Sequence, residues 1–247
     1  MPLISIQNLS LNISNVPILK EVSLDIGQEK FGLIGESGSG KSMLAKTLLG
    51  VLPLGANVQA ETLTWKGKDL TNINEKMWRE IRGSEIAMIL QDAKTSLNPL
   101  MNIKKQLQEV SSATTPLSAL QQVQLPSPEE ILQMYPHQLS GGMGQRVMIA
   151  MMLMQNPKFL IADEIVSALD SLLQHEILTL LQDHVKERQM GLLFISHDLQ
   201  QACQFCDRIG VMKEGQLLAV DTPAELRKNA HPYIQRLFDA MLPEEPK

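Results

Sequence analysis

Phe31-Gly32-Leu33-Ile34-Gly35-Glu36-Ser37-Gly38-Ser39-Gly40-Lys41-Ser42 is the stretch that decides how the rest of the chain is read. An apolar run ends in glycine, a glycine-rich loop follows, and residues 43–52 (MLAKTLLGVL) continue with helical composition. Strand, loop and helix in that order make a phosphate-binding βα unit. Gly35 to Ser42 fits G-x-x-x-x-G-K-[ST]. The glycines let backbone N–H groups close around phosphate oxygens, and the helix starting near Lys41 adds its positive end. Lys41 is placed to reach the β- and γ-phosphates, and the Ser42 hydroxyl to take a Mg²⁺ coordination position. A chance match in a chain of this length is roughly a one-in-a-hundred event.

On either side of this unit the pattern is that of an α/β fold. Val22, Leu24 and Ile26 alternate with Ser23 and Asp25, and the first thirty residues read as short alternating strands. Ile86–Leu90, Phe159–Ala162 and Leu192–Ser196 are apolar runs of buried-strand type separated by helical stretches, which predicts a mostly parallel sheet with covered faces. Residues 92–138 are rich in Gln, Ser, Pro and Thr and carry no long apolar strand. There, Ser127-Pro128-Glu129-Glu130 predicts a helix start with a capping-box pair, and Thr222-Pro223-Ala224-Glu225 repeats the device. The organisation expected is an α/β core, residues 1–91 and 156–247, with an antiparallel β part near the amino terminus. Residues 92–155 form a mostly helical insert.

Composition narrows the function. The chain has 247 residues, 44% hydrophobic and 20% charged, with a net charge of −5. That balance is ordinarily globular and argues against coating nucleic acid or anionic lipid. Two cysteines are too few for a disulfide framework. The opening MPLISIQNLS reads as no signal peptide, and the longest strongly apolar stretch, Val147–Met154, is far short of the ~20 residues a membrane span needs. Work at a membrane therefore has to pass through a partner.

Three further constellations carry chemistry. Phe159-Leu160-Ile161-Ala162-Asp163-Glu164 runs up a central strand and delivers two carboxylates at its carboxyl end, where open α/β sheets bind ligands. Asp163 is the candidate Mg²⁺ ligand. Glu164 is the candidate base for the water that attacks the γ-phosphate. Leu139-Ser140-Gly141-Gly142-Met143-Gly144-Gln145-Arg146 is a second glycine-bearing helix start, suited to donating N–H groups to a phosphate. Phe194-Ile195-Ser196-His197-Asp198 sets His197 just past a buried strand, a candidate γ-phosphate contact. It is no protease triad, because adjacent residues on a strand alternate in direction.

With Gln91 after the Ile86–Leu90 strand and Ser167-Ala168-Leu169-Asp170 after the carboxylates, this order resembles the ABC transporter ATPase family over nearly the whole chain. The resemblance implies an ATP- and Mg²⁺-dependent ATPase. Lys41 and Ser42 would belong to its Walker A loop, Asp163 and Glu164 to Walker B, and Ser140, Gly141 and Gly142 to the signature. Gln91 would be the Q-loop residue, catalytic and a Mg²⁺ ligand; Asp170 would be the D-loop aspartate and His197 the switch histidine. Gln91-Asp92…Thr95-Ser96-Leu97-Asn98-Pro99-Leu100, Tyr135-Pro136-His137-Gln138 and Ala230-His231-Pro232-Tyr233 are similar to the importer subgroup for peptides, nickel and metal chelates.

That subgroup implies a second ATPase subunit, with a heterodimer favoured over a homodimer, two permease subunits and an external solute-binding protein. It implies no nucleic-acid partner and a peripheral place on the cytoplasmic face of the cell membrane. The alternatives are a weakly hydrolysing half of an asymmetric pair and a soluble ABC ATPase unconnected with transport.

The chain departs from the family pattern in four places. No aromatic precedes Phe31, so adenine stacking is expected to be weak, with Ile13 or Val16 as an apolar substitute. Gly144 stands where a basic residue is usual, which loosens the signature helix, and Ile165-Val166 replaces Pro-Thr. The insert is also shorter around Ser111–Thr115. The cysteine-bearing carboxyl-terminal extension of many relatives is absent, so no iron–sulfur cluster is expected. Cys203 and Cys206 read as packing residues.

Overall fold

The computed structural model describes residues 2–91, 96–111 and 113–241. Asp92 and Thr95 of the Q-loop stretch and Ser112 of the shortened insert lie outside them. The chain divides into two compact units, Met1–Glu75 with Gly191–Lys247, and Lys76–Met190.

In the first unit, β1 (Ile4–Ile13) and β2 (Val16–Ile26) form an antiparallel hairpin. These are long strands rather than the short ones the sequence suggests, because each carries a residue that resets its alternation. Ile4 and Ile6 are buried on β1, then Leu9 and Leu11, and the change of parity falls at Asn8, whose φ is 50°. On β2 the buried set passes from Leu19 to Val22, Leu24 and Ile26 across Glu21 at φ 52°. An extra residue in the left-handed region is a bulge, and it returns the apolar side chains to the core face. On its other edge β1 pairs with β4 (Ala56–Gln59) and β5 (Thr62–Trp65), and β5 pairs with β6 (Lys68–Asp69).

The same unit holds the strand of the phosphate loop. β3 (Lys30–Ile34) lies parallel between β9 (Gly191–Ser196) and β10 (Arg208–Lys213), and β11 (Gln216–Asp221) closes the edge antiparallel to β10. Phe31, Leu33 and Ile34 and every residue of β9 are buried, as covered parallel strands require. Helix α1 (Lys41–Leu48) follows the loop. Cys206, at the end of α8 (Leu199–Phe205), fits against Gly32: a Cβ there would meet its Sγ at 3.0 Å. Burial pushes its thiol far above the usual range. Phe194 and Phe205 meet edge to face at 5.1 Å.

In the second unit, β7 (Ile86–Ile89) pairs parallel with β8 (Phe159–Asp163). Its helices are α2 (Glu75–Ile81), α3 (Ile103–Val110), α4 (Pro116–Gln122), α5 (Pro128–Ile131), α6 (Gly141–Leu153) and α7 (Ser171–Glu187). The end of α7 is tied to α4 and α6. His184 Nε2 donates to the Gln122 carbonyl at 3.0 Å, while Arg188 donates to the Leu153 carbonyl and to Gln122 Oε1, each at 2.7 Å. Burial holds His184 below the usual histidine range.

One expected cap does not form. Ser127 sits at φ 47°, ψ 56° and its side chain caps nothing, so α5 is a single four-residue turn. A capping side chain turns back to the helix from an extended backbone, and the left-handed conformation aims it elsewhere. Thr222, at φ −66°, ψ 154°, does accept from the Glu225 N–H, at the start of α9 (Pro223–Leu226). The last helix, α10 (Pro232–Asp239), begins after His231.

Candidate functional site

The phosphate loop is shaped by what its glycines lack. A Cβ on Gly35 would collide with the Met212 carbonyl oxygen of β10, and Gly40 holds φ at 104° at the start of α1. Between them the loop folds on itself, with the Ser39 N–H donating to the Glu36 carbonyl at 3.2 Å. Lys41, 4% exposed, turns its ammonium back onto the Gly35 carbonyl at 2.7 Å and the Glu36 carbonyl at 2.9 Å. The charge is thereby held over the loop in which phosphate oxygens are expected. Ser42, in the first turn of α1, is partly buried. At the same carboxyl end of this unit's parallel strands, where Ile34 pairs with Ser196, His197 is exposed just past β9. Asp198 beside it accepts from the Gln201 N–H at 3.0 Å and caps α8, which occupies the carboxylate as a helix start.

In the second unit, β8 buries all five of its residues and ends at Asp163, 8% exposed. Glu164 follows with φ 49°, a conformation that costs a non-glycine residue about 1–2 kcal/mol. Ser167 sustains it: its N–H and its hydroxyl both donate to the Glu164 carbonyl, at 3.2 and 2.9 Å. Gln91, exposed after β7, donates through Nε2 to the Ser167 hydroxyl at 3.3 Å. The segment that follows is latched from α7, where Gln174 donates to the carbonyls of Val166 and Leu169, both at 3.0 Å. Ile165 and Val166 are buried. Asp170 caps α7 by accepting from the Leu173 N–H at 3.0 Å.

The signature stretch belongs to this unit too. Ser140 caps α6, accepting from the Met143 N–H at 3.2 Å. Gly142 is a packing glycine, since a Cβ there would press on Leu173 at 3.2 Å. Arg146 holds the region from below, donating to Glu176 at 2.7 Å and to the Val123 carbonyl at 2.9 Å. With Gly144 in its first turn, α6 still runs unbroken to Leu153. A cleft of about 240 Å³ opens beside Ser140 and Gly142.

Of the residues singled out from sequence, the structure joins Gln91 to the Glu164 backbone, through Ser167. Sequence reasoning missed Ser167, Gln174 and Arg146. Ser167 carried a signal: a serine three residues after a strand-end carboxylate is placed to bond back to the main chain. The expected adenine substitutes lie at the tip of the β1–β2 hairpin, where Ile13 pairs with Val16 and Val16 is 58% exposed.

Comparison with known proteins fits this geometry. Residues 19–167 match the model of the ABC transporter family. The chain is 39% identical to the dipeptide transport ATP-binding protein DppD of Escherichia coli, over 99% of this chain and 79% of that protein. Among solved structures, cbiO1 from Clostridium perfringens, part of the ABC transporter complex cbiONQ, superposes with a TM-score of 0.78 at 25% identity, covering 96% of this chain and 99% of that one. A dimeric ATP-binding cassette in a post-hydrolysis state with ADP and Pi superposes with a TM-score of 0.74 at 25% identity, covering 89% and 98%. Family model, relatives and fold agree: this chain is an ATP-binding subunit of the ABC transporter family, an ATPase built on the P-loop α/β fold.

Proposed function

We propose that the chain is the ATP-hydrolysing subunit of an importer for peptides, working at the cytoplasmic face of the membrane with two permease subunits and an external solute-binding protein. Its similarity to a dipeptide transport ATP-binding protein along 99% of its length supports that cargo class over nickel or metal chelates. No helix among the described residues is long and apolar enough to cross a membrane, so the permeases supply the passage.

The observation that carries the catalytic reading is the Lys41 ammonium held on the Gly35 and Glu36 carbonyls. Gly35, Glu36, Ser37, Gly38, Ser39, Gly40, Lys41 and Ser42 hold the β- and γ-phosphates of ATP from one side. The counterparts of Ser140, Gly141, Gly142 and Asp170 in a second ATPase chain close the other, a sibling chain being favoured over a second copy. Glu164 takes the proton of the attacking water, and His197 steadies the γ-phosphate. Gln91, resting on Ser167 where the nucleotide core (residues 1–91 and 156–247) gives way to the helical signature subdomain (residues 92–155), reports phosphate occupancy to the permeases. Asp163, Ser42 and Gln91 offer a carboxylate, a hydroxyl and an amide oxygen, hard donors that fit Mg²⁺. When bound, Mg²⁺ neutralises charge developing on the phosphates.

The test is reconstitution in liposomes with the sibling ATPase, permeases and receptor. ATP turnover that rises with peptide-loaded receptor and collapses when the chain is kept monomeric is the expected result. Equal turnover by a monomer would overturn the two-chain site, and stimulation by a metal chelate but not peptide would overturn the cargo.

A further inference from the structure

Helix α6 begins weakly by its own composition. Three of its first four residues, Gly141, Gly142 and Gly144, are glycine, the residue that gives up most backbone freedom on entering a helix. The N–H groups offered to a nucleotide in the mechanism above lie in that turn, so packing has to fix what propensity leaves loose.

Two contacts do so, as consecutive rungs between α6 and α7. Gly142 and Arg146 are four residues apart and share one face of α6, while Leu173 and Glu176 are three apart and share one face of α7. Gly142 lies so close to Leu173 that a Cβ would meet it at 3.2 Å. One turn on, Arg146 Nη2 donates to Glu176 Oε2 at 2.7 Å. Its Nη1 donates to the carbonyl of Val123, the residue that closes α4, at 2.9 Å. The Arg146 side chain is 11% exposed and that of Glu176 43%. An ion pair open to solvent on one side contributes little by itself. The second bond, to main chain, makes the rigid guanidinium fork a clamp across three segments. At the start of α7, Asp170 accepts from the N–H of Leu173, the same residue that meets Gly142. The helix starts at Ser140 and at Asp170 are therefore tied to each other through these rungs.

We propose that Arg146 is a positioning residue for the ATP on the phosphate loop of the second ATPase chain, holding the Ser140–Gly142 turn and Asp170 in the relation that lets both meet that nucleotide at once. The inference rests on the two-chain reading, in which the signature turn of one chain closes over the nucleotide of the other. The phosphate loop of this chain belongs to the other compact unit, and its own hold on ATP is independent of the clamp.

The test compares two readouts: turnover by the transporter reconstituted with the sibling ATPase, permeases and peptide-loaded receptor, and ATP binding by the full chain alone. Both are taken well below the Tm of each variant, where a residue that only stabilised the fold would leave kcat unchanged. In Arg146→Ala, kcat is expected to fall about tenfold, the scale of one lost charge-assisted bond acting through geometry, with ATP binding by the chain alone within about twofold of wild type. Arg146→Lys keeps the charge beside Glu176 but lacks the fork for both acceptors, and is expected to lose about threefold; it carries the test should Arg146→Ala fold poorly. Wild-type kcat in Arg146→Lys and in folded Arg146→Ala overturns the proposal, and so does a parallel loss of ATP binding by the chain alone. Turnover by the wild-type chain alone at the rate of the transporter would instead overturn the two-chain reading beneath it.

Discussion

The phosphate loop and the corner after β8 reach their conformations by opposite means. In the loop, Gly35 and Gly40 allow a path that a side chain would block, and Lys41 clasps two loop carbonyls from a buried position. At the corner, a glutamate occupies the left-handed region that glycine favours, and the hydroxyl of Ser167 helps to hold it there. That hydroxyl is in turn the acceptor for an exposed glutamine. The loop is fixed by its own backbone; the corner is held by side chains that can be released. Such an arrangement suits a protein that must bind nucleotide steadily but fire only on a signal.

The contrast is broken most sharply by Glu164→Gln. Turnover of the assembled transporter should fall by about 10³-fold while ATP affinity stays within about threefold, since general-base catalysis is lost and the loop is untouched. Radiolabelled phosphate release and equilibrium ATP binding check the two halves. Lys41→Ala should do the reverse. It removes a charge-assisted contact to phosphate and should weaken ATP about 100-fold in the binding assay. Ser167→Ala tests the corner alone: kcat should drop about three- to tenfold with KM for ATP unchanged, and Ser167→Thr, which keeps the hydroxyl, should restore it.

The smallest effect concerns the scaffold behind the corner. Burial depresses the pKa of His184 in the folded chain, so the unfolded chain binds the proton first as pH falls below its ordinary 6.5. The contribution of His184 to stability is therefore present above that value and is lost as pH drops through the folded pKa. Tm measured from pH 7.5 to 5.5 should decline less steeply in His184→Gln than in the wild type.

Much of this architecture is legible in the sequence itself. β3, β8 and β9 follow from apolar runs, and the phosphate loop from glycine spacing, because both signals are local. The Ser127 cap was misread for the same reason: its residue types were right, but the chain enters α5 left-handed. Asn8 and Glu21 hide two long strands behind broken alternation. The Gln91–Ser167 contact joins residues 76 positions apart, where no spacing rule applies. Gly142 was read as an N–H donor, and its packing against Leu173 became visible only in the fold.

The close fit of Cys206 against Gly32 has a practical consequence for chemistry on this protein. A thiol so enclosed, and so reluctant to ionise, is a poor target for oxidants and alkylating reagents in the folded chain. Partly exposed Cys203 is then the natural attachment point for a fluorophore or spin label, with no cysteine to be engineered away.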